Sequence, residues 1–435
     1  MGRGLREDLV TQTALEAYAS VRHEGRLADC ALDFSLRHKK HLYSNERRAV
    51  AERVWSLLRR QLTVDWLLEQ ARPGFSKLPS SKQDLLRLSI SRFLAGEKAD
   101  TVREGSTAED RAIFDKVNTA RGKLKSAGFA IEHSLPEWLA ARIQKQYGDK
   151  AAALAERMNE RAPLCARANP LKISREGLIA RLANEEVEAR PCELSELGLV
   201  LDTRVNAFSL APFKEGCFEI QDEGSQLLGM LVDAPPRKIV DACAGAGGKS
   251  LQIAAEMKNR GELFCFDIEE KRLEELRRRA RRADIHNVRV QVIPEGPEAA
   301  DHDAVKRLVG QCERVFVDAP CSGTGTVRRK PDAKYRLEEK EIAEYAATQR
   351  ALLERFAPLV KAGGRLIYGT CSLLTEENEG VVDGFLAAHP EFTIFDAKKS
   401  LPEKAHKLVD ERGLFHADPL SAGTDGFFGA VMVKK

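Results

Sequence analysis

Two cysteines, Cys321 and Cys371, stand where covalent chemistry could be done. Asp318-Ala319-Pro320-Cys321-Ser322-Gly323 follows the apolar run Arg314-Val315-Phe316-Val317, and Thr370-Cys371-Ser372 follows Arg365-Leu366-Ile367-Tyr368. Short apolar runs of this kind read as buried strands. In an open α/β sheet, reacting groups gather outside the carboxyl ends of the strands. If these two strands are neighbours, both thiols face one crevice. A thiolate is a strong nucleophile near neutral pH, so such a pair suits covalent catalysis.

A place for a cofactor lies upstream. Lys238-Ile239-Val240-Asp241 reads as a strand and Leu251-Gln252-Ile253-Ala254-Ala255 as the start of a helix. Between them runs Ala242-Cys243-Ala244-Gly245-Ala246-Gly247-Gly248-Lys249-Ser250. Glycines there permit a tight turn and a close ligand. A second strand, Leu263-Phe264-Cys265-Phe266, ends in Asp267, 20 residues past Gly247. That is about the spacing at which a carboxylate holds ribose hydroxyls. The phosphate-loop pattern fails, because Cys243 stands where its first glycine is required. The dinucleotide pattern has Gly245 and Gly247 but Ser250 as its third member. S-adenosylmethionine carries no phosphate and needs neither pattern. A plain strand–helix turn with no ligand is the competing reading.

Taken in order, these motifs resemble the Sun/Fmu family of RNA cytosine-C5 methyltransferases. The resemblance also takes in Gln221-Asp222-Glu223-Gly224-Ser225-Gln226, Phe266-Asp267-Ile268, Arg328-Arg329-Lys330-Pro331-Asp332, Glu376-Glu377-Asn378 and Asp425-Gly426-Phe427-Phe428. It implies a doubly wound, Rossmann-like class I methyltransferase domain of α/β class. An all-α NusB-like domain and a small α+β RRM-like linker domain would precede it. It implies S-adenosylmethionine held by Cys243, Ala244, Gly245, Ala246, Gly247, Gly248, Lys249, Asp267, Glu295 and Asp318. Cys371 would attack C6 of cytosine. Cys321 would assist proton removal and release, and Asp318 would bind the base edge. Arg328, Arg329 and Lys330 would contact the RNA backbone. Pro320-Cys321 also resembles the nucleophile of DNA cytosine methyltransferases, so the opposite assignment of the thiols competes. Three positions depart from the family pattern. Ala246 replaces a proline, and Tyr335 replaces a tryptophan. Pro294-Glu295-Gly296-Pro297-Glu298 lacks the aspartate usual after the third strand. These departures motivate a second reading, an RNA-binding or ribosome-assembly factor with a vestigial catalytic domain.

Composition bounds the rest. At 435 residues, 43% of them hydrophobic, the chain is globular with two or three domains. Nine cysteines without a C-x-x-C pair argue against a disulfide or zinc framework and fit a reducing cytoplasm. No metal, no membrane and a monomer are expected. Residues 1–133 hold 24 Lys and Arg against 18 Asp and Glu, although the whole chain is only +3. Such an excess suits an RNA-binding appendage. The arginines of Arg277-Arg278-Arg279-Ala280-Arg281-Arg282 cannot share one helix face and read as a solvated surface. Apolar spacing predicts a helix over 46–58, capped by Ser44 or Asn45. Residues 100–128, broken by Gly105-Ser106-Thr107 and Gly122, read as a flexible connection or short helices. The expected domains are 1–133, 134–214 and 215–435.

Overall fold

The computed structural model describes residues 4–97, 102, 108–203 and 205–435. Its contacts separate into two compact units. One is Met1–Arg161 with Val327–Glu339, and the other is Ala162–Thr326 with Lys340–Lys435.

The first unit is helical. Helices Glu7–Glu24 and Ser44–Ala71 bury Val10, Ala14, Ala17, Val50, Val54, Leu57 and Leu58, three to four residues apart, in one core. The cap of the second helix is Tyr43 rather than Ser44 or Asn45, because the Glu46 carboxylate reaches back to accept the Tyr43 N–H at 2.8 Å. The expected short helices include a full one, Ala108–Arg121, with Ile113, Phe114, Val117 and Ala120 buried. Gly105-Ser106-Thr107 lies outside the described residues. The segment Val327–Glu339 is built into this unit. Lys334 Nζ donates to the Arg59 carbonyl at 2.8 Å and to Asn159 Oδ1 at 2.9 Å, and the Tyr335 hydroxyl lies 3.0 Å from Ser134 Oγ.

The second unit contains two sheets. The smaller comprises β1 (Leu164–Ala168), β2 (Ala189–Pro191), β3 (Gly198–Leu201) and β4 (Phe218–Ile220). Helices Arg175–Ala183 and Ala211–Lys214 follow β1 and β3. The order β2-β3-β1-β4, antiparallel throughout, is the split βαββαβ, ferredoxin-like arrangement that RRM modules share.

The larger sheet comprises β5 (Lys238–Asp241), β6 (Glu262–Asp267), β7 (Val288–Val292), β8 (Cys312–Asp318), β9 (Val360–Thr370), β10 (Phe392–Phe395), β11 (Phe415–Ala417) and β12 (Phe427–Lys434). Its order is β10-β12-β9-β8-β5-β6-β7, with β11 against β12. β5 to β9 run parallel, and β12 returns antiparallel to β9. β5 pairs with β6 on one side and β8 on the other, so the topological switch falls between β5 and β8. Parallel strands covered on both faces are apolar on both. Val315, Val317, Leu366 and Tyr368 enter the core on one face, and Phe316 and Ile367 enter the core on the other. β8 and β9 are neighbours, with Asp318 opposite Gly369.

Phe316 is fully buried in the middle of β8. Phe316→Ala should therefore lower the unfolding free energy by about 3–5 kcal/mol in a denaturant titration.

Candidate active site

The carboxyl ends of β5, β6, β8 and β9 deliver Asp241, Asp267, Asp318 and Thr370-Cys371. After β5 the chain turns tightly into helix Gly248–Glu256. Gly247 has φ +85°, and a Cβ there would meet Leu276 Cγ at 2.6 Å, so only glycine fits. The Gly245 N–H donates to Asp267 Oδ2 at 2.8 Å, and the Glu269 N–H donates to Asp267 Oδ1 at 2.9 Å. The carboxylate is thereby aimed, and each oxygen keeps a lone pair. Arg279 donates to the Ala246 carbonyl at 2.7 Å and pairs with buried Glu219 at 3.0 Å. This holds the turn at the position where the family pattern has proline.

The thiols converge. Cys321 Sγ lies 3.2 Å from Cys371 Sγ, and the Cys371 N–H points at Cys321 Sγ from 3.3 Å. Both side chains are half-buried. The two thiols are pushed in opposite directions. The contact between the sulfurs, in which either thiol can donate, lowers the Cys371 pKa, and the Lys249 ammonium assists against burial and the Asp318 charge. The same contact, together with burial, raises Cys321 well above an ordinary thiol. Lys249 Nζ pairs with Asp318 Oδ2 at 2.7 Å. Burial opposes the lysine's charge, but Asp318 outweighs it and the ammonium is held. Lys249 thereby orients the Asp318 carboxylate.

Other expected residues fall as follows. Ala244 is buried and Cys243 half-buried, with burial raising its thiol. Glu295, in the loop after β7, and Glu298, which opens the short helix Glu298–Asp301, are both exposed, and both attract Arg355, which burial pushes down in pKa. Arg328 is buried, Arg329 half-buried and Lys330 exposed, all within the helical unit's segment. Tyr335 also belongs there, so that departure does not touch the glycine turn. Sequence reasoning assigned no task to Glu377, Ser322, Ser372 or Gln349, which form a buried network around both cysteine loops. Glu377 sat inside a quoted motif, six residues past Cys371. Gln349 gave no signal, being one polar residue in a long helix. The arginine-rich helix is not merely solvated: Arg277 pairs with Glu270, Arg278 with Glu275, and Arg279 and Arg282 with Glu219.

A doubly wound sheet whose strand ends carry a glycine turn, an acid after β6 and two adjoining thiols after β8 and β9 is the architecture of a class I methyltransferase. A family model described as 16S rRNA methyltransferase RsmB/F matches residues 230–433, and one for the RsmF/B-like ferredoxin-like domain matches residues 135–207. The second match takes in helices Glu137–Tyr147 and Ala151–Asn159, whose contacts lie with the helical unit. The ribosomal RNA small subunit methyltransferase B of Thermus thermophilus is 32% identical over 93% of this chain and 93% of its own. A probable enzyme of the same name from Bacillus subtilis is 29% identical over 99% of this chain and 100% of its own. The solved structure of a methyltransferase homologue from Pyrococcus horikoshii superposes with a TM-score of 0.59 at 26% identity, covering 72% of this chain and 99% of that one. The chain belongs to the RsmB/F family of 16S rRNA methyltransferases.

Two outcomes test this electrostatic arrangement. Lys249→Met removes the cation that favours the Cys371 thiolate. The pH midpoint of Cys371 alkylation, followed by mass spectrometry, should rise, and the rate at pH 7 should fall. Asp241 is the second case. Burial pushes its carboxyl up to about 7, although the Ser250 hydroxyl donates to it at 2.7 Å. The folded protein thus keeps a proton that the unfolded chain releases at the usual carboxylate value. Its contribution to stability is full below that value and is lost as pH rises to about 7. The melting temperature of wild type should therefore fall more between pH 5 and pH 8 than that of Asp241→Asn.

Proposed function

We propose that this protein methylates C5 of a cytosine in small-subunit ribosomal RNA, with Cys371 as nucleophile, Cys321 as release group and S-adenosylmethionine as donor. The thiol pair at 3.2 Å, with Lys249 and Asp318 beside it, is the observation that carries this reading. The names of the Thermus and Bacillus relatives support the ribosomal substrate.

The residues of the glycine turn fit the donor. A Cβ built on Gly245 or Gly248 would meet nothing within 4 Å, so the turn leaves room for a ligand against its backbone. Asp267 offers its free lone pairs to ribose hydroxyls, and exposed Ile268 beside it suits an aromatic base. When bound, S-adenosylmethionine supplies the electrophilic methyl that C5 takes up.

The chain's own residues do the rest. The Cys371 thiolate adds to C6, and the C5=C6 electron pair becomes available at C5. Asp318, oriented by Lys249, accepts the N4 amino hydrogens of the base and fixes its edge. Once Cys371 is bonded to carbon it no longer accepts the Cys321 S–H. One influence that kept Cys321 protonated is then gone while burial and the Glu377 carboxylate remain, and the Cys371 N–H aimed at Cys321 Sγ favours the thiolate left when its proton passes to solvent. As thiolate, Cys321 takes the C5 proton. The C5–H pair re-forms the double bond, the C6–S bond breaks, and Cys371 leaves as thiolate. Residues 1–133, with their positive excess, and half-buried Arg329 and exposed Lys330 suit the RNA backbone, whereas Arg328 is buried and is not offered to it. Nine free cysteines suit a cytoplasmic setting. Among the described residues no helix is long and apolar enough to cross a membrane.

One contact favours the reverse assignment: the Cys371 N–H aimed at Cys321 Sγ would stabilise a thiolate on Cys321. Trapping separates the two. With S-adenosylmethionine and small-subunit RNA, Cys321→Ala should give an RNase-sensitive, slow-migrating band on a denaturing gel, and Cys371→Ala should give none. A band from Cys371→Ala alone would exchange the roles.

A further inference from the structure

Glu377 is fully buried, and no cation pairs with it among the described residues. Four donors converge on its carboxylate instead. The Ser322 N–H at 2.8 Å and Gln349 Nε2 at 3.0 Å meet Oε1. The Ser322 and Ser372 hydroxyls, each at 2.5 Å, meet Oε2. A buried carboxylate is costly unless hydrogen-bonded throughout, so this arrangement costs stability that an apolar residue would not. The return is geometric. Ser322 follows Cys321 and Ser372 follows Cys371. Gln349 Nε2 also donates to the carbonyl of Pro320, the residue before Cys321, at 3.0 Å. Glu377, directly at Ser322 and through Gln349 at Pro320, therefore holds the Cys321 loop on both sides of the thiol.

The two loops do not depend on it equally. The Cys371 loop has its own ties: Thr370 Oγ1 to Asn378 Oδ1 at 2.6 Å, Asn378 Nδ2 to the Ser372 carbonyl at 3.0 Å, and the Tyr368 hydroxyl to the Glu377 carbonyl at 2.5 Å. The Cys321 loop is held by the sheet at Ala319 and by Thr324 Oγ1, which accepts the Leu373 N–H at 2.9 Å. Between those points, Ser322 Oγ also lies 3.3 Å from Thr324 Oγ1 and 3.2 Å from Ser372 Oγ, and the Cys371 N–H points at Cys321 Sγ, but Glu377 and Gln349 are the groups that bind residues 320 and 322 from outside the two loops' hydroxyls.

We propose that Glu377 is a positioning residue that holds Cys321 against Cys371, so that release of the methylated base depends on it more than attack does. This rests on the two-thiol reading above. Without Glu377 the Cys321 sulfur drifts from the adduct. The C5 proton then has no base within reach, the C6–S bond cannot break, and the covalent RNA adduct accumulates. A general loss of structure would weaken attack and release together and would not accumulate the adduct.

The test uses the full chain, small-subunit ribosomal RNA and labelled S-adenosylmethionine, with wild type, Cys321→Ala, Glu377→Ala and Glu377→Gln. Single-turnover methyl transfer, steady-state kcat and the trapped band are measured on each. Cys321→Ala should trap strongly. Glu377→Ala should trap a visible fraction and lose about a hundredfold in kcat, the scale of a displaced catalytic group, while single-turnover transfer stays near wild type. Glu377→Gln keeps one acceptor oxygen and should fall between. A folded Glu377→Ala with wild-type kcat and no band would overturn the proposal, as would loss of single-turnover transfer without a band. If Glu377→Ala does not fold, Glu377→Gln is judged by the same criteria. No band from Cys321→Ala would overturn the two-thiol reading itself, and this proposal with it.

Discussion

The site depends on β8 and β9 lying side by side and parallel. With Asp318 opposite Gly369, the two chains leave the sheet together, and a few residues later their sulfurs are 3.2 Å apart. A parallel pair has both carboxyl ends at one edge, which an antiparallel pair would not. The same edge carries Asp267 from β6 and the glycine turn from β5. The switch between β5 and β8 opens the crevice there, because the chain departs in opposite directions from that point. The buried interior strands give this edge a rigid base, and loops supply the chemistry.

Much of this was legible in the sequence because it is local. The apolar runs ending at Asp241, Asp267, Asp318 and Thr370 are strands, and each ends at the expected acid or hydroxyl. The glycine turn was legible from residue type alone, since Gly247 has a positive φ and no room for a side chain. What stayed hidden depends on partners distant in the chain. Gln349 looks like any polar helix residue until Pro320 and Glu377 are seen beside it. The arginines of helix Glu270–Ala283 looked solvated because Glu219, which binds two of them, comes from β4 about sixty residues earlier. The segment after Cys321 gave no sign that residues 327–339 are built into the helical unit, because Lys334 and Tyr335 are anchored by Arg59, Asn159 and Ser134.

Several motifs that carried the resemblance have no reacting group. Asp222 caps its helix through the Gly224 N–H and also accepts the Asp425 N–H. Gly325 lies so close to Gly426 that a Cβ would meet the Gly426 carbonyl oxygen at 2.4 Å. The tail therefore packs against the Cys321 loop backbone to backbone. These motifs are the fittings that hold the loops, and the chemistry constrains them through distance rather than through reactivity.

Two thiols of equal acidity could not divide attack and release between them, since each task needs a thiolate at a different time. The arrangement breaks the symmetry with few parts. Lys249 favours charge on Cys371, while burial and the Glu377 carboxylate disfavour it on Cys321. In the proposed reaction, bonding Cys371 to carbon breaks the contact between the sulfurs, so the second thiolate forms more readily once the first step is complete. The proposed order of events depends on the 3.2 Å spacing of the sulfurs. This is why a buried carboxylate with no counter-cation is tolerated a few ångströms away: the energy it costs maintains the spacing on which the order of proton transfers depends.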